Sequence, residues 1–234
     1  MSNVAAMLSP VIVALVPMRQ HSERVPGKNY RLFAGRPLYH HIIESLLACP
    51  LISGIVIDTD SQVIMEDAAL HFPLVHLIER PMHLRDGKIS TNEVLMHDLS
   101  LTQADFYLQT HSTNPLLRSQ TLSRAIEYFL AHYPTYDSLF SVTRHQARLW
   151  DQMGKPVNHD PAILLRTQDL PPIYEENSNI YIFSREMMER RRNRIGEKPL
   201  MFEIAQTEAC DIDEELDFQI SEFIYLNGHK DSLS

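Results

Sequence analysis

No apolar run in this 234-residue chain approaches the roughly 20 residues that a membrane-spanning helix requires. Membrane spanning is therefore not expected. Cysteine is nearly absent: Cys49 and Cys210 are too few and too far apart for a disulfide framework. The first apolar run, "VIVALV" (11–16), is six residues long with no basic residue ahead of it, unlike a secretory leader. These features lead to the expectation of a cytoplasmic protein with free thiols. Internal repeats, low-complexity tracts and Gly/Ser linkers are missing as well, which points to a single domain over 1–234. None of the 12 histidines stands in a zinc-binding spacing. Positive charge is the minority sign, with 21 Lys and Arg against 30 Asp and Glu and a net charge of -9. General nucleic-acid binding, which neutralises many phosphates at once, is disfavoured.

What is present is a 44% hydrophobic content, ample for a core, arranged as strand-like runs alternating with helical periodicity. "VIVALV" precedes "PLYHHIIESLLAC", whose Leu38, Ile42, Ile43, Leu46 and Leu47 share one helical face. "GIVIDTD", "LVHLIE", "FYLQ", "DSLFSVT", "NIYIFS" and "LMFEIA" read as further strands, with helices near 62–70, 91–103, 119–132, after 184, and 215–227. This alternation predicts an α/β fold with three layers around a mostly parallel sheet. The segment 144–176 is richer in Pro and polar residues and is expected to be an excursion, an arm that contacts a second subunit.

Against the acidic background, residues 19–36 carry Arg19, Arg24, Lys28, Arg31 and Arg36 with Glu23 as the one acid, a local balance of +4. They follow the first strand, where open α/β sheets gather ligands. Forked donors on Arg19 and Arg24, the Lys28 ammonium, the Ser22 hydroxyl and a backbone opened by Gly27 suit a polyphosphate. The alternative is a solvated connection with surface basics. No Walker motif is present, since Asn29 stands where Ser or Thr belongs.

The stretch "VPMRQHSERVPGKNYRLFAGRPLYHHII" (16–43) resembles, without gaps, the opening signature of the CMP-sialic acid synthetase-like (acylneuraminate) cytidylyltransferase family. Arg19, Ser22, Pro26, Lys28, Asn29, Gly35, Pro37 and Leu38 fall in register; Glu23 reverses the family's Lys, and Arg24 is similar to the related octulosonate branch. The resemblance implies a Rossmann-like, nucleotide-diphospho-sugar transferase (GT-A-like) fold, and a CTP triphosphate held by Arg19, Ser22, Arg24, Lys28 and Asn29. It also implies a homodimer with 144–176 as the exchanged arm.

Other segments carry the resemblance further. "IVIDTDS" (55–61), with Asp58 and Asp60 at a strand end, is similar to an element beside the family's active site, although a helix cap from Asp60 or Ser61 is the favoured reading. "ERPMHLRDGKIS" (79–90) implies Arg80 and Ser90 near the cytosine. In "YLQTHSTNPLL" (107–117), Gln109 is implied to face the acceptor sugar. The following turn is one residue longer than the family's, and the octulosonate branch's own element is absent. His111 there is either a general base or a hydrogen-bonded structural residue. Arg166, Asn177 and Tyr181 are implied to touch the acceptor, Arg166 through its carboxylate, while Asn177 reads equally as a turn residue and Tyr181 as core packing.

In "EACDIDEELDFQISE" (208–222), Asp211 and Asp213 flank Ile212, so an extended backbone points both carboxylates to one face. That pair suits Mg²⁺, which favours one or two carboxylates together with substrate phosphates. Acids of the same run also suit a helix N-terminus, the role expected of Glu214, Glu215 and Asp217. The basic run Arg190–Arg194 is expected to be a solvated helical face.

Together these readings imply a Mg²⁺-dependent transfer of CMP from CTP to an acidic sugar of the nonulosonic acid type. Lys28, Arg19 and Asp211 would carry catalysis. A phosphonate or other acidic acceptor is the alternative within the class, and a non-catalytic nucleotide-binding regulator on the same fold is the alternative outside it.

Overall fold

The structure, a computed structural model, describes residues 10–20 and 24–228. Ser22 and Glu23 of the basic loop therefore lie outside the described residues. A seven-stranded sheet has the order β5-β4-β1-β6-β8-β7-β9, with β1 Ile12–Met18, β4 Gly54–Thr59, β5 His76–Glu79, β6 Phe106–Gln109, β7 Ser138–His145, β8 Ile173–Ser184 and β9 Pro199–Glu203. All neighbouring pairs are parallel except those made by β8, which runs antiparallel to β6 and β7. A two-stranded hairpin, β2 Leu32–Phe33 and β3 Arg36–Pro37, closes the loop after β1.

Alternation along the strands builds the layers. Ile12, Ala14, Val16 and Met18 of β1, with Ile55, Ile57, Leu108, Ile180 and Ile182, face α1 (Leu38–Leu47), α2 (Gln62–His71) and α4 (Ser119–His132). Val13, Leu15, Val56, Tyr107, Tyr181 and Phe183 point to the other face, against Leu95 and Leu99 of α3 (Thr91–Leu101) and Met187 and Met188 of α5 (Arg185–Arg191). Each fully buried Leu, Ile or Phe contributes about 1.5–3 kcal/mol through removal from water, so the two apolar layers dominate folding. A small third cluster, Phe33, Leu38, Ile212 and Phe218, docks α6 (Glu215–Gly228) onto the hairpin. That cluster brings the acidic run near the C-terminal end of the chain to the basic loop near its beginning.

The expected α/β three-layer architecture is present, strand by strand. Its one irregularity sits where β7 and β8 pair: the register shifts between Phe140 and Val142, and Ser178 has a φ of 58°. The expected excursion is narrower than 144–176, because Arg144 and His145 still pair with Tyr174 and Ile173. Among the described residues no helix is long and apolar enough to cross a membrane.

Candidate functional site

From β1 the chain moves outward to β4 and β5 and then returns to β6 on the other side of β1. Such a reversal opens a crevice beyond the carboxyl ends of the strands. Three segments meet there: the loop after β1, the turn after β6 (110–114) and the extended run 210–214. Ser112 donates to Asn29 Oδ1 at 2.7 Å, Asn29 Nδ2 donates to the Arg19 carbonyl at 2.8 Å, and Ile212 N donates to the Thr113 carbonyl at 3.0 Å. Asn29, 9% exposed, organises the loop. Its partner Ser112 went unrecognised in the sequence, because nothing local pairs residues 83 positions apart.

Gly27 has a φ of 65°, a left-handed conformation that glycine adopts without a Cβ penalty, and starts the short 3₁₀ turn Lys28–Tyr30. That turn sends Lys28 inward. Its Nζ donates to the Ile212 carbonyl and lies 3.8 Å from Asp213 Oδ1, which also accepts from Arg24 Nη2 at 2.7 Å. Burial lowers the Lys28 pKa, opposed by Asp211 and Asp213. Beside it Arg31 grips Glu215 with two bonds of 2.5 and 2.8 Å, holding the Glu215 carboxyl below its usual range. Basic loop and acidic run thus form one charged junction.

The Asp pair divides the work. Ile212 is fully buried, and Asp213 and Glu214 donate their backbone N–H groups to Asp217 Oδ2, so Asp217 caps α6 as the dipole argument expects. Asp211 Oδ1 is buried with no hydrogen-bond partner among the described residues, and burial pushes its carboxyl up despite the bond with Thr113. Two carboxylates on one face, one with an orphaned oxygen, form a donor set that fits a hard divalent cation. Arg19 is exposed and donates to the Gly87 carbonyl at 3.2 Å.

Gln109 is fully buried at the end of β6, where its Oε1 accepts from Arg194 Nη1 at 2.5 Å and its amide nitrogen meets His111 Nε2 at 3.2 Å. Burial, then the charges of Arg194 and Lys28, push His111 down to about 3. A ring held that low is a poor proton acceptor near neutrality, which favours the hydrogen-bonded role. Asn177 accepts from Ser141 at 2.6 Å and donates to Thr143 at 3.0 Å, so it pins the irregular pairing of β7 and β8. Tyr181 is buried as core, yet its hydroxyl donates to Glu176 and the Arg194 guanidinium lies 3.7 Å above its ring.

The remaining candidates already have partners within the fold. Arg80, 2% exposed, donates through Nε to Asp58, and Asp98 joins them in the interior. Ser90 accepts from Glu93 N at 3.3 Å, the side-chain cap that starts α3, and its hydroxyl donates to the Glu93 carboxylate at 3.1 Å. Ser61 caps α2, while Asp60 accepts from Gln20 N at 2.7 Å. Arg166 lies in the excursion with both arms of its fork on Asp169, at 2.6 and 3.1 Å. On α1 and α2, His40, Asp67 and His71 bring ligand atoms within 4.8 Å of one another, a grouping invisible to spacing because the histidines sit on different helices. Although burial alone would raise it, hydrogen bonds from His40 and Tyr39 hold the Asp67 carboxyl low, so its oxygens are already supplied with donors.

Arg194 corrects the expectation of a solvated basic face. Arg190 and Arg191 do lie outside, pairing with Glu186 and Glu197 at 3.9 and 3.6 Å. But α5 stops at Arg191, Arg192 turns left-handed with a φ of 54°, and Arg194 re-enters the crevice. The sequence signal was "NRIG", whose Asn193 and Gly196 mark a helix end.

Comparison with known proteins agrees with this geometry. A CMP-N,N'-diacetyllegionaminic acid synthase of Legionella pneumophila is 29% identical over 90% of this chain and 94% of its own length. A pseudaminic acid cytidylyltransferase of Campylobacter jejuni is 23% identical over 93% and 97%. N-acylneuraminate cytidylyltransferase A of Danio rerio is 27% identical over 90% of this chain, which spans only 50% of that longer protein. In fold, the chain is similar to a CMP:2-keto-3-deoxy-manno-octonic acid synthetase complexed with CTP, with a TM-score of 0.68 at 15% identity over 93% of this chain and 99% of that one. A 4-diphosphocytidyl-2C-methyl-D-erythritol synthase gives 0.70 at 13% identity over 93% and 99%. A crevice with a basic loop on one wall and an Asp pair on the other, and a match to the family described as Cytidylyltransferase over residues 13–231, lead to one conclusion: this chain belongs to the cytidylyltransferase family.

Proposed function

We propose that the protein transfers CMP from CTP to an acidic sugar of the nonulosonic acid class, releasing pyrophosphate. The observation that carries this reading is the junction of Arg24 and Lys28 with the Asp211–Asp213 run. Substrate triphosphate would replace Asp213 as the partner of Arg24 and Lys28, and both cations would then neutralise the departing pyrophosphate. Arg19 and Asn29 would complete the phosphate wall; Ser22, implied by the resemblance, lies outside the described residues. Asp211 and Asp213 would hold Mg²⁺, which when bound supplies charge stabilisation to the triphosphate as phosphorus is attacked. Little covalent chemistry falls to the protein: positioning and charge stabilisation dominate phosphoryl transfer.

Gln109 and Tyr181 line the acceptor side, with Asn177 holding the β7–β8 irregularity that shapes it. The relatives named for legionaminic, pseudaminic and N-acylneuraminic acids support a nonulosonic acceptor. We also propose a homodimer formed through the excursion, where Trp150, Met153, Ile163 and Leu164 are all exposed. A cytoplasmic location fits two unpaired cysteines.

The test is pyrophosphate release with CTP and Mg²⁺ against N-acetylneuraminate, legionaminate, pseudaminate, 3-deoxy-manno-octulosonate and a simple phosphonate. Release with a nonulosonic acid is the expected result. Release with the phosphonate alone would replace the acceptor class, and CTP binding without release from any acceptor would favour a nucleotide-sensing role.

A further inference from the structure

The acceptor side of the crevice holds a cation with no ion-pair partner within 4 Å among the described residues. Arg194 forms no ion pair among the described residues, although its neighbours Arg190 and Arg191 both do. Glu176, the acid that acts on its charge, accepts instead from the Tyr181 hydroxyl. Burial depresses the Arg194 pKa, the sign of a charge taken out of water without full compensation. A guanidinium in such a place is costly unless something negative joins it.

The side chain is nevertheless held firmly. Arg194 N donates to Asn92 Oδ1 of α3 at 3.2 Å, and a Cβ on Gly196 would fall 2.1 Å from Asp137 Oδ1, so the turn has no slack. The guanidinium carbon lies 3.7 Å from the centroid of the Tyr181 ring, and Nη1 is anchored on Gln109. The cation–π contact and the Gln109 bond hold the group at two points, and a guanidinium has five N–H donors in a fork that matches a carboxylate. His111 lies in the combined field of Arg194 and Lys28, so the two cations act on a shared volume between the nucleotide and acceptor sides. Arg166, by contrast, is exposed in the excursion, with its fork on Asp169.

Resting on the proposed cytidylyl transfer, we propose that Arg194 is the specificity-determining residue of the acceptor pocket, binding the carboxylate of the acidic sugar through its guanidinium edge while Tyr181 and Gln109 hold it in place.

The test compares the unaltered protein with Arg194→Met, Arg194→Lys and Arg166→Met, using N-acetylneuraminate, legionaminate and pseudaminate together with their carboxyl methyl esters. Calorimetric CTP affinity and melting temperature monitor the fold and the nucleotide side. We expect Arg194→Met to raise acceptor KM about 10- to 100-fold, as for loss of a charge-assisted bond, with CTP affinity unchanged within about twofold. Arg194→Lys should fall between. The unaltered protein should discriminate acid from ester, and Arg194→Met should not. Equal losses on acid and ester, or loss of the discrimination in Arg166→Met instead, would overturn the assignment while leaving the transferase reading standing. No pyrophosphate release by the unaltered protein with any of these acids would sink both together.

Discussion

Two clusters in this molecule use the same residue types for opposite ends. Arg24, Lys28, Asp211 and Asp213 form a junction whose pairs are partly open to solvent and whose Asp211 Oδ1 has no hydrogen-bond partner among the described residues. Arg80, Asp58 and Asp98 form a closed one: both aspartates are fully buried and Arg80 is 2% exposed. Asp58 Oδ2 and both Asp98 oxygens lack donors among the described residues, and burial followed by the Asp58 charge pushes Asp98 up to about 9. A proton on Asp98, bonded to Asp58, supplies the donor that Asp58 Oδ2 lacks and leaves one guanidinium facing one carboxylate charge. Charge type alone therefore does not mark a ligand site. What separates the clusters is whether the charges are already satisfied within the fold.

That contrast can be broken from either side. The largest effect is expected for Arg80→Met, which strands Asp58 in the interior and should cost about 3–5 kcal/mol of stability, read by denaturant unfolding; a loss below about 1 kcal/mol would mean the closed cluster is not structural. Asp211→Asn should lower turnover at least about a hundredfold while leaving the melting temperature unchanged or raised, since it removes a buried charge. Near-normal turnover would take Asp211 out of the metal role.

Asp98→Asn sharpens the comparison through pH. A carboxyl protonated in the native state up to about 9 but ionising near 4 when unfolded makes the native state bind the extra proton between those values. Its contribution therefore falls as pH rises through that window, by up to about 1.4 kcal/mol per unit. The asparagine variant should flatten the decline of stability between pH 5 and about 8, and an unchanged slope in thermal melts would contradict the assigned proton. The smallest effect is expected for Arg24→Ala, whose exposed pair with Asp213 should matter to stability by less than about 1 kcal/mol, yet which should weaken CTP binding several-fold. A large stability loss with unchanged CTP affinity would reverse the roles of the two clusters.

The fold was legible because its cause is local. Period-two strands and amphipathic helices announce themselves within ten residues, and every strand expected from an apolar run is present in β1 and β4–β9. The charged junction was legible through motif rather than physics, since nothing in the spacing of Lys28 and Asp211 tells that they meet across 183 positions. The helical pattern read through "RRRNR" passes over Arg194: α5 stops at Arg191, the left-handed exit at Arg192 turns the chain, and only the tertiary bond from Arg194 N to Asn92 shows which arginine goes inward. Arg80 and Ser90, taken from resemblance, have clear structural occupations, which a motif cannot distinguish from ligand contacts.

The most direct test of the central claim, that the basic loop and the Asp pair form one metal-triphosphate site, is calorimetric CTP binding with and without Mg²⁺ in the unaltered protein and in Asp211→Asn. The account predicts that Mg²⁺ tightens CTP binding about tenfold or more in the first and has little effect in the second. CTP binding that responds equally to Mg²⁺ in both would contradict it.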